Sequence, residues 1–157
     1  LPEALYEAGA RATFLNHAEN PMTMAELSKT IARARELGIE TIACADSLAE
    51  GTAIAAFRPD ILLCEPTDLI GTGKTADDSY TTSIVAKIRS IDPTIGIMIA
   101  SGITTADDVY RVVRLGADGS GATSGILSAP DPAQRILEMA EAIMRAAAER
   151  EAQNSAA

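Results

Sequence analysis

Short apolar runs alternate along the chain with longer segments in which apolar residues recur every three or four positions. The run Ile61–Cys64 has four consecutive apolar residues, which indicates a strand buried on both faces, as in a parallel sheet covered by helices. The segment that follows Thr23 has Glu26 at capping-box spacing and then an apolar stripe, which indicates an amphipathic helix. The pattern therefore predicts a strand followed by a helix as the repeating unit.

Five such strands and six helices are predicted. The predicted strands are 12–16, 39–45, 61–64, 95–99 and 118–124. The predicted helices are 1–8, 23–37 and 48–57, followed by helices that begin near residues 78, 104 and 131. Strands that alternate with helices favour a parallel sheet in an α/β fold. A (β/α)8 barrel needs about 250 residues, or about 200 at the short end, so the chain holds part of a barrel or a complete open sheet.

Several details of this prediction are specific enough to check. Thr104 with Asp107 has capping-box spacing and predicts the start of a helix. The glycines in 118–124 disfavour a strand there, although the segment occupies the next strand position. Asp131 is the predicted N-cap of the last helix, and the tail from about Ala147 is expected to fray.

Composition restricts the classes of partner. With 157 residues, 47% of them hydrophobic, the chain is expected to form one domain over residues 1–157. Its net charge of −9 argues against nucleic acid or an anionic membrane as partner. Cys44 and Cys64 lie in apolar runs and are interpreted as buried, reduced thiols. With one histidine and no paired-cysteine spacing, no metal site is predicted. The sequence shows neither a leader nor an apolar run of about 18 residues, so we expect a cytoplasmic protein.

Candidate chemistry lies where the predicted strands end, because parallel α/β folds place their reactive groups at the carboxyl ends of strands. Glu65 ends the third strand and is followed by Pro66 and a glycine-containing loop, an arrangement that suggests a general base beneath a lid. The other strands end in His17 and Glu19, Cys44, Ser101 and Gly102, and Thr123 to Gly125. Small residues at the last two ends expose backbone N–H groups, so the pattern is consistent with an acid/base site that handles a phosphate.

Four segments follow one another along the chain: LNHAEN at 15–20, CEPTDLIGTG at 64–73, ASGI at 100–103 and TSGI at 123–126. In this order they resemble the triosephosphate isomerase family, and more closely its shorter archaeal branch. The resemblance implies a (β/α)8 TIM barrel of which this chain holds about the last five βα units. The barrel would be incomplete, and the five strands would be its fourth to eighth.

The resemblance also implies roles for individual residues. Glu65 would be the general base, His17 the neutral electrophile and Glu19 a supporting residue. The substrate phosphate would be bound by Gly73, Gly102, Thr123 and Ser124. The lid would comprise Ile70, Gly71, Thr72 and Gly73. The implied reaction interconverts D-glyceraldehyde 3-phosphate and dihydroxyacetone phosphate without a cofactor, in glycolysis and gluconeogenesis, in a homo-oligomer or together with a missing N-terminal segment or chain.

The chain departs from the family pattern in three places. The first-strand asparagine and lysine have no counterpart, Ala18 replaces a serine, and Pro21 replaces an arginine expected near Glu19. Two alternatives therefore stay open. One is a different phosphate-binding barrel enzyme, and the other is a non-catalytic partial barrel whose open sheet edges are covered by another chain.

Overall fold

A five-stranded parallel sheet forms the centre of the molecule in the computed structural model, which describes residues 1–69, 72 and 75–156. The strands lie in chain order, so each pairs with its neighbours in the sequence. They are β1 (Ala12–Leu15), β2 (Glu40–Ala45), β3 (Ile61–Cys64), β4 (Gly96–Ile99) and β5 (Gly119–Ser120). Because every pairing is parallel, the carboxyl ends of all five strands lie at the same end of the sheet.

Helices connect the strands. The α-helices are α1 (Pro2–Glu7), α2 (Met24–Leu37), α3 (Leu48–Ala55), α4 (Asp78–Ile91), α5 (Ala106–Arg114), α6 (Ser124–Leu127) and α7 (Pro132–Ser155). A short 3-10 helix spans Thr67–Leu69. The predicted alternation of strands and helices around a parallel sheet is confirmed. None of the helices in the described part of the chain is long and apolar enough to cross a bilayer.

Helix ends follow local sequence signals closely. Thr23 and Glu26 form the predicted capping box of α2, and Gly38 ends that helix in the left-handed region with φ of 70°. The predicted cap at Thr104 is wrong by one residue, since Thr105 is the N-cap of α5. The cause is Asp108, whose carboxylate accepts from the N–H groups of both Thr104 and Thr105, at 3.0 and 2.9 Å.

One face of the sheet packs against the helices and forms the main core. Its strand residues include Leu62, Ile97 and Ile99, each at most 1% exposed, and its helix residues include Ile54 and Ile84, both fully buried. The opposite face, here called the inner face, carries Phe14, Ile42, Cys44, Leu63, Met98 and Ala100. Phe14 is paired with Ile42 across β1 and β2 and is 61% exposed, so the inner face is apolar but only partly covered.

The last strand is shorter than predicted. Of the predicted segment 118–124, only Gly119–Ser120 is a strand, and Ser124 already begins α6. The glycines at 119 and 121 offer no side chain for packing, and the strand is held by its pairing with Met98 and Ile99 on β4.

The C-terminal helix continues past the point where the tail is predicted to fray. Helix α7 begins after the predicted N-cap Asp131 and runs through Ser155. Ala146 is fully buried, and one turn later the guanidinium of Arg150 donates to the carbonyls of Val113 and Ala117, at 3.1 and 2.7 Å. These contacts fasten the segment beyond Ala147 to the end of α5.

Candidate functional site

The carboxyl ends of β1, β3, β4 and β5 surround one cavity of about 520 Å³. The predicted site residues that line it are His17, Glu19, Glu65, Gly102, Thr123 and Ser124. Sheet topology explains the convergence, because parallel strands in chain order deliver their last residues to the same edge. Residues separated by more than a hundred positions in the sequence thus face one volume of the size of a small-molecule site.

His17 and Glu65 form the centre of this cavity. The imidazole Nε2 lies 3.6 Å from a carboxylate oxygen of Glu65. The side chain of Glu65 is 17% exposed and that of His17 is 37% exposed, so both are partly shielded but reach the cavity. The two groups are close enough to act on adjacent atoms of one small ligand.

The orientation of the imidazole indicates its proton arrangement. The backbone N–H of Glu19 donates to Nδ1 of His17 at 3.3 Å. A nitrogen that accepts a hydrogen bond carries no proton, so in this arrangement the ring proton lies on Nε2, the nitrogen that faces Glu65. The Nε2–H group of His17 is therefore available to donate a hydrogen bond into the cavity.

Asn16 directly precedes His17 at the end of β1, and the sequence did not identify it as a site residue. It is 8% exposed and adopts a left-handed backbone conformation with φ of 58°. Its amide donates to the carbonyl of Cys44 and to the carboxylate of Glu50, both at 3.0 Å, and accepts from the N–H of Met22 at 2.8 Å. The only available signal was that asparagine tolerates this backbone conformation better than most residues.

Ser101 connects the end of β4 to the segment after Glu65. Its backbone is also left-handed, with φ of 76°, and its side chain donates to the carbonyl of Pro66 at 2.9 Å. A buried residue held in this region costs about 1–3 kcal/mol and is found where the surroundings enforce it, often at functional sites. The bond fixes the backbone next to Glu65 relative to Gly102.

Two backbone segments meet beside the cavity, residues 101–105 after β4 and residues 123–125 before and in α6. We call them the two wall segments. Residues 101–103 and 123–124 of these segments line the cavity. Gly102 has φ of 69°, and Thr123 and Ser124 are exposed at the start of α6. The segments touch at Gly125, where an added Cβ would lie 2.3 Å from the carbonyl oxygen of Ile103. Of the predicted phosphate-binding residues, Gly102, Thr123 and Ser124 therefore lie close together at one cavity.

Glu19 and the predicted lid are placed differently. The Glu19 carboxylate lies 3.8 Å from Nδ1 of His17 and is 91% exposed, so it approaches the imidazole from the solvent side. Ala18 and Pro21 line a separate cavity of about 250 Å³ that also borders Glu65. Of the predicted lid, Thr72 donates to the carbonyl of Leu69 at 2.8 Å. Ile70, Gly71 and Gly73 lie outside the described residues.

The electrostatic environment of the site is acidic. The described residues that line the 520 Å³ cavity include two carboxylates and no lysine or arginine. Burial, together with the charges of Glu65 and Glu50, raises the pKa of the Cys44 thiol to about 11. Within the described part of the chain, no group of three or more His, Cys, Asp or Glu residues is arranged to hold a metal ion.

The fold and the placement of polar residues at the carboxyl ends of the strands define a parallel βα protein of the TIM-barrel class. Two solved structures illustrate the fold. A thiamine phosphate pyrophosphorylase from Pyrococcus furiosus superimposes with a TM-score of 0.70 at 17% identity, over 93% of this chain and 65% of that one. A 3-hexulose-6-phosphate synthase from Salmonella typhimurium gives 0.69 at 21% identity, over 92% and 67%.

Sequence comparison identifies the family. The family model described as triosephosphate isomerase matches residues 1–143. The triosephosphate isomerase of Sulfurisphaera tokodaii is 35% identical over 140 residues, which cover 88% of this chain and 61% of the relative. That of Metallosphaera sedula is 36% identical over 152 residues, which cover 95% and 66%. The chain belongs to the triosephosphate isomerase family, and it spans less than two thirds of the length of these two curated relatives.

Proposed function

We propose that the chain carries the proton-transfer site of a triosephosphate isomerase, which interconverts D-glyceraldehyde 3-phosphate and dihydroxyacetone phosphate. The observation that carries this proposal is the pair formed by His17 and Glu65, 3.6 Å apart over one cavity, with Nδ1 of the imidazole accepting a backbone N–H bond. Membership of the family supports the choice of substrate.

Glu65 acts in this mechanism as the general base. Its carboxylate removes a proton from C1 of dihydroxyacetone phosphate, and the C–H electron pair forms the C1–C2 double bond of an enediolate. The same carboxyl group then returns a proton to C2, while the hydroxyl proton on O1 is transferred to O2, so that C1 becomes the aldehyde carbonyl and C2 carries the hydroxyl group. A carbon next to a carbonyl needs a base held within contact distance, and a positioned base of this kind contributes about 10²- to 10⁴-fold in rate.

His17 stabilises the charge that develops during this transfer. The negative charge of the enediolate accumulates on the substrate oxygen, and the Nε2–H group of His17 is aimed into the cavity to donate to it. A preorganised donor of this kind is worth about 10²- to 10³-fold in rate. Asn16, which directly precedes His17, fixes the backbone at the end of β1 through its bonds to Cys44, Glu50 and Met22.

The phosphate is proposed to bind on the wall segments. Gly102, Thr123 and Ser124 line the same cavity as His17, and their backbone N–H groups are the proposed donors. Gly73 is proposed as a further donor, and Ile70, Gly71, Thr72 and Gly73 as a lid that excludes water, both on the family resemblance alone. Glu19 is proposed to support the imidazole, which its backbone N–H contacts at 3.3 Å.

We further propose that the active form contains additional βα units paired with β1 and β5. Three observations support this. The sheet has five strands whereas a complete barrel has eight, and Phe14 on the inner face is 61% exposed. An apolar groove of about 730 Å³ also lies beside β1, lined by Leu1, Leu5 and Leu15 among others. The units can come from the same polypeptide or from another chain.

The role in glycolysis and gluconeogenesis, a cytoplasmic location and a homo-oligomeric state complete the proposal, and they rest on the resemblance to the family. The alternative is a partial barrel without catalysis. The absence of lysine and arginine from the described lining of the cavity favours this alternative, since a phosphate dianion there meets two carboxylates and no cation.

The test joins the N-terminal βα units of the Sulfurisphaera tokodaii relative to this chain and measures interconversion of the two triose phosphates. Glu65→Gln is expected to lower kcat by at least about 10²-fold, because the amide cannot accept the proton. Glu40→Gln is the matched control, since Glu40 is an exposed carboxylate at the start of β2, on the opposite edge of the sheet. A joined protein without isomerase activity, or equal activity in the two variants, would refute the proposal.

A further inference from the structure

Arg135 connects helix α7 to both wall segments. It lies in the first turn of α7, where its backbone N–H donates to the carbonyl of the N-cap Asp131 at 3.0 Å. Its guanidinium donates to the carbonyl of Thr104 in the first wall segment and to that of Gly125 in the second, the latter at 3.4 Å. A single side chain from a third element thus bridges the two wall segments at Thr104 and Gly125, each of which is next in sequence to a residue that lines the cavity.

The two wall segments also meet directly beside this bridge. An added Cβ on Gly125 would lie 2.3 Å from the carbonyl oxygen of Ile103 and 2.7 Å from the Cα of Thr104. Contacts this close leave no room for a side chain at position 125. The wall segments can therefore approach each other as they do only because residue 125 is glycine. Both bonds come from one nitrogen, Nη1 of Arg135, whose two N–H groups can serve two carbonyls, and a guanidinium does not lose its charge.

We propose that Arg135 is a positioning residue that sets the spacing of the two wall segments, and with it the affinity of the cavity for a phosphate group. The proposal rests on the proposed function, because that function places the phosphate on Gly102, Thr123 and Ser124. Arg135 is not among the residues that line the cavity, so it acts through the backbone that it holds. Its guanidinium also lies 3.7 Å from the carboxylate of Glu138, so its charge already has a partner on α7.

The rest of α7 is docked independently of Arg135. Arg150 donates to the carbonyls of Val113 and Ala117, and Tyr110 donates to the carboxylate of Glu149 at 2.5 Å. Met139 and Ala146 are buried in the core. Replacement of Arg135 should therefore release the two wall segments without detaching the helix, which separates a positioning role from a general loss of structure.

The test is a titration of the full chain with inorganic phosphate, followed by the amide signals of Gly102, Thr123 and Ser124 in two-dimensional NMR spectra. Three variants are compared with the parent chain: Arg135→Met, Arg135→Lys and the control Arg145→Met. Arg145 lies on the same helix, and its guanidinium stacks 4.5 Å from the ring centroid of Tyr110. Its replacement by methionine removes the same charge as Arg135→Met. Its variant therefore reports the effect of one lost positive charge on α7 without the bonds to Thr104 and Gly125 being changed.

We expect Arg135→Met to weaken phosphate binding by about tenfold, the equivalent of one charge-assisted hydrogen bond. Arg135→Lys should recover part of the affinity, because an ammonium keeps the charge and can donate to a carbonyl but is carried on a shorter, more flexible side chain. Arg145→Met should bind as the parent chain does. Equal affinity in Arg135→Met and Arg145→Met would overturn the inference.

Amide hydrogen exchange without phosphate distinguishes this inference from the proposed function. Faster exchange in residues 101–105 and 123–127 of Arg135→Met alone supports the bridge, and unchanged exchange overturns it. A parent chain that shows no phosphate-dependent shifts would instead count against the proposed function, and the exchange result would still decide whether Arg135 holds the two segments.

Discussion

The close approach at Gly125 predicts a large penalty for the smallest possible side chain. In Gly125→Ala the new Cβ would lie 2.3 Å from the carbonyl oxygen of Ile103, whereas ordinary contacts begin at 3.4 Å, so one backbone must move by about 1 Å. Overpacking of this kind typically costs about 1–3 kcal/mol, and a rigid backbone places it near the upper value. The higher helix propensity of alanine relative to glycine offsets about 1 kcal/mol of this loss of stability. We expect a net loss of about 2 kcal/mol.

The free energy of unfolding, measured by urea denaturation and circular dichroism, checks this value. Gly119→Ala is the matched control, because its Cβ would meet only Met98 Cγ, at 3.6 Å. We expect the control to change stability by less than about 0.5 kcal/mol, as for substitutions without a clash. Equal stability of the two variants would show that the wall segments are not in the close contact described here.

Two further predictions concern buried groups around the site. The free energy of unfolding of Asn16→Ala, measured by urea denaturation, should be about 1 kcal/mol lower than that of Asn16→Gly. Both variants lose the three hydrogen bonds of Asn16, but only glycine adopts the left-handed backbone conformation without strain. Equal stabilities would contradict this. The second follows from burial, which raises the pKa of Cys44 to about 11 and that of Cys64 to about 12. The unfolded chain releases these protons from about pH 9, so the free energy of unfolding should fall as the pH rises from about 9 towards 12, and Cys44→Ser should reduce this fall.

The parts of the structure that the sequence predicts well depend on neighbouring residues. The capping box of Thr23 and Glu26, the glycine stop at Gly38 and the strand Ile61–Cys64 are each encoded within a few positions. The convergence of His17 and Glu65 follows from one further rule, that strands of a parallel sheet end at the same edge. Local patterns and this rule were sufficient to locate the candidate site.

The contacts that position the site could not be predicted in the same way. The bond from Asn16 to Cys44 joins residues 28 positions apart, that from Ser101 to Pro66 spans 35, and that from Arg135 to Thr104 spans 31. No local pattern specifies such pairs, because they depend on how separate βα units pack. The short strand β5 differs, because the glycines at 119 and 121 already disfavoured a strand there and only Gly119 and Ser120 pair with β4.

The most direct test of the central claim is proton exchange at the substrate carbon. Dihydroxyacetone phosphate is incubated in D2O with the chain joined to the N-terminal units of its relative, and deuterium at C1 is followed by proton NMR. If Glu65 and His17 act together on one triose phosphate, the parent protein will exchange this proton and Glu65→Gln will do so at least about 10²-fold more slowly. Exchange that is absent in the parent protein, or as fast in Glu65→Gln, would contradict the account.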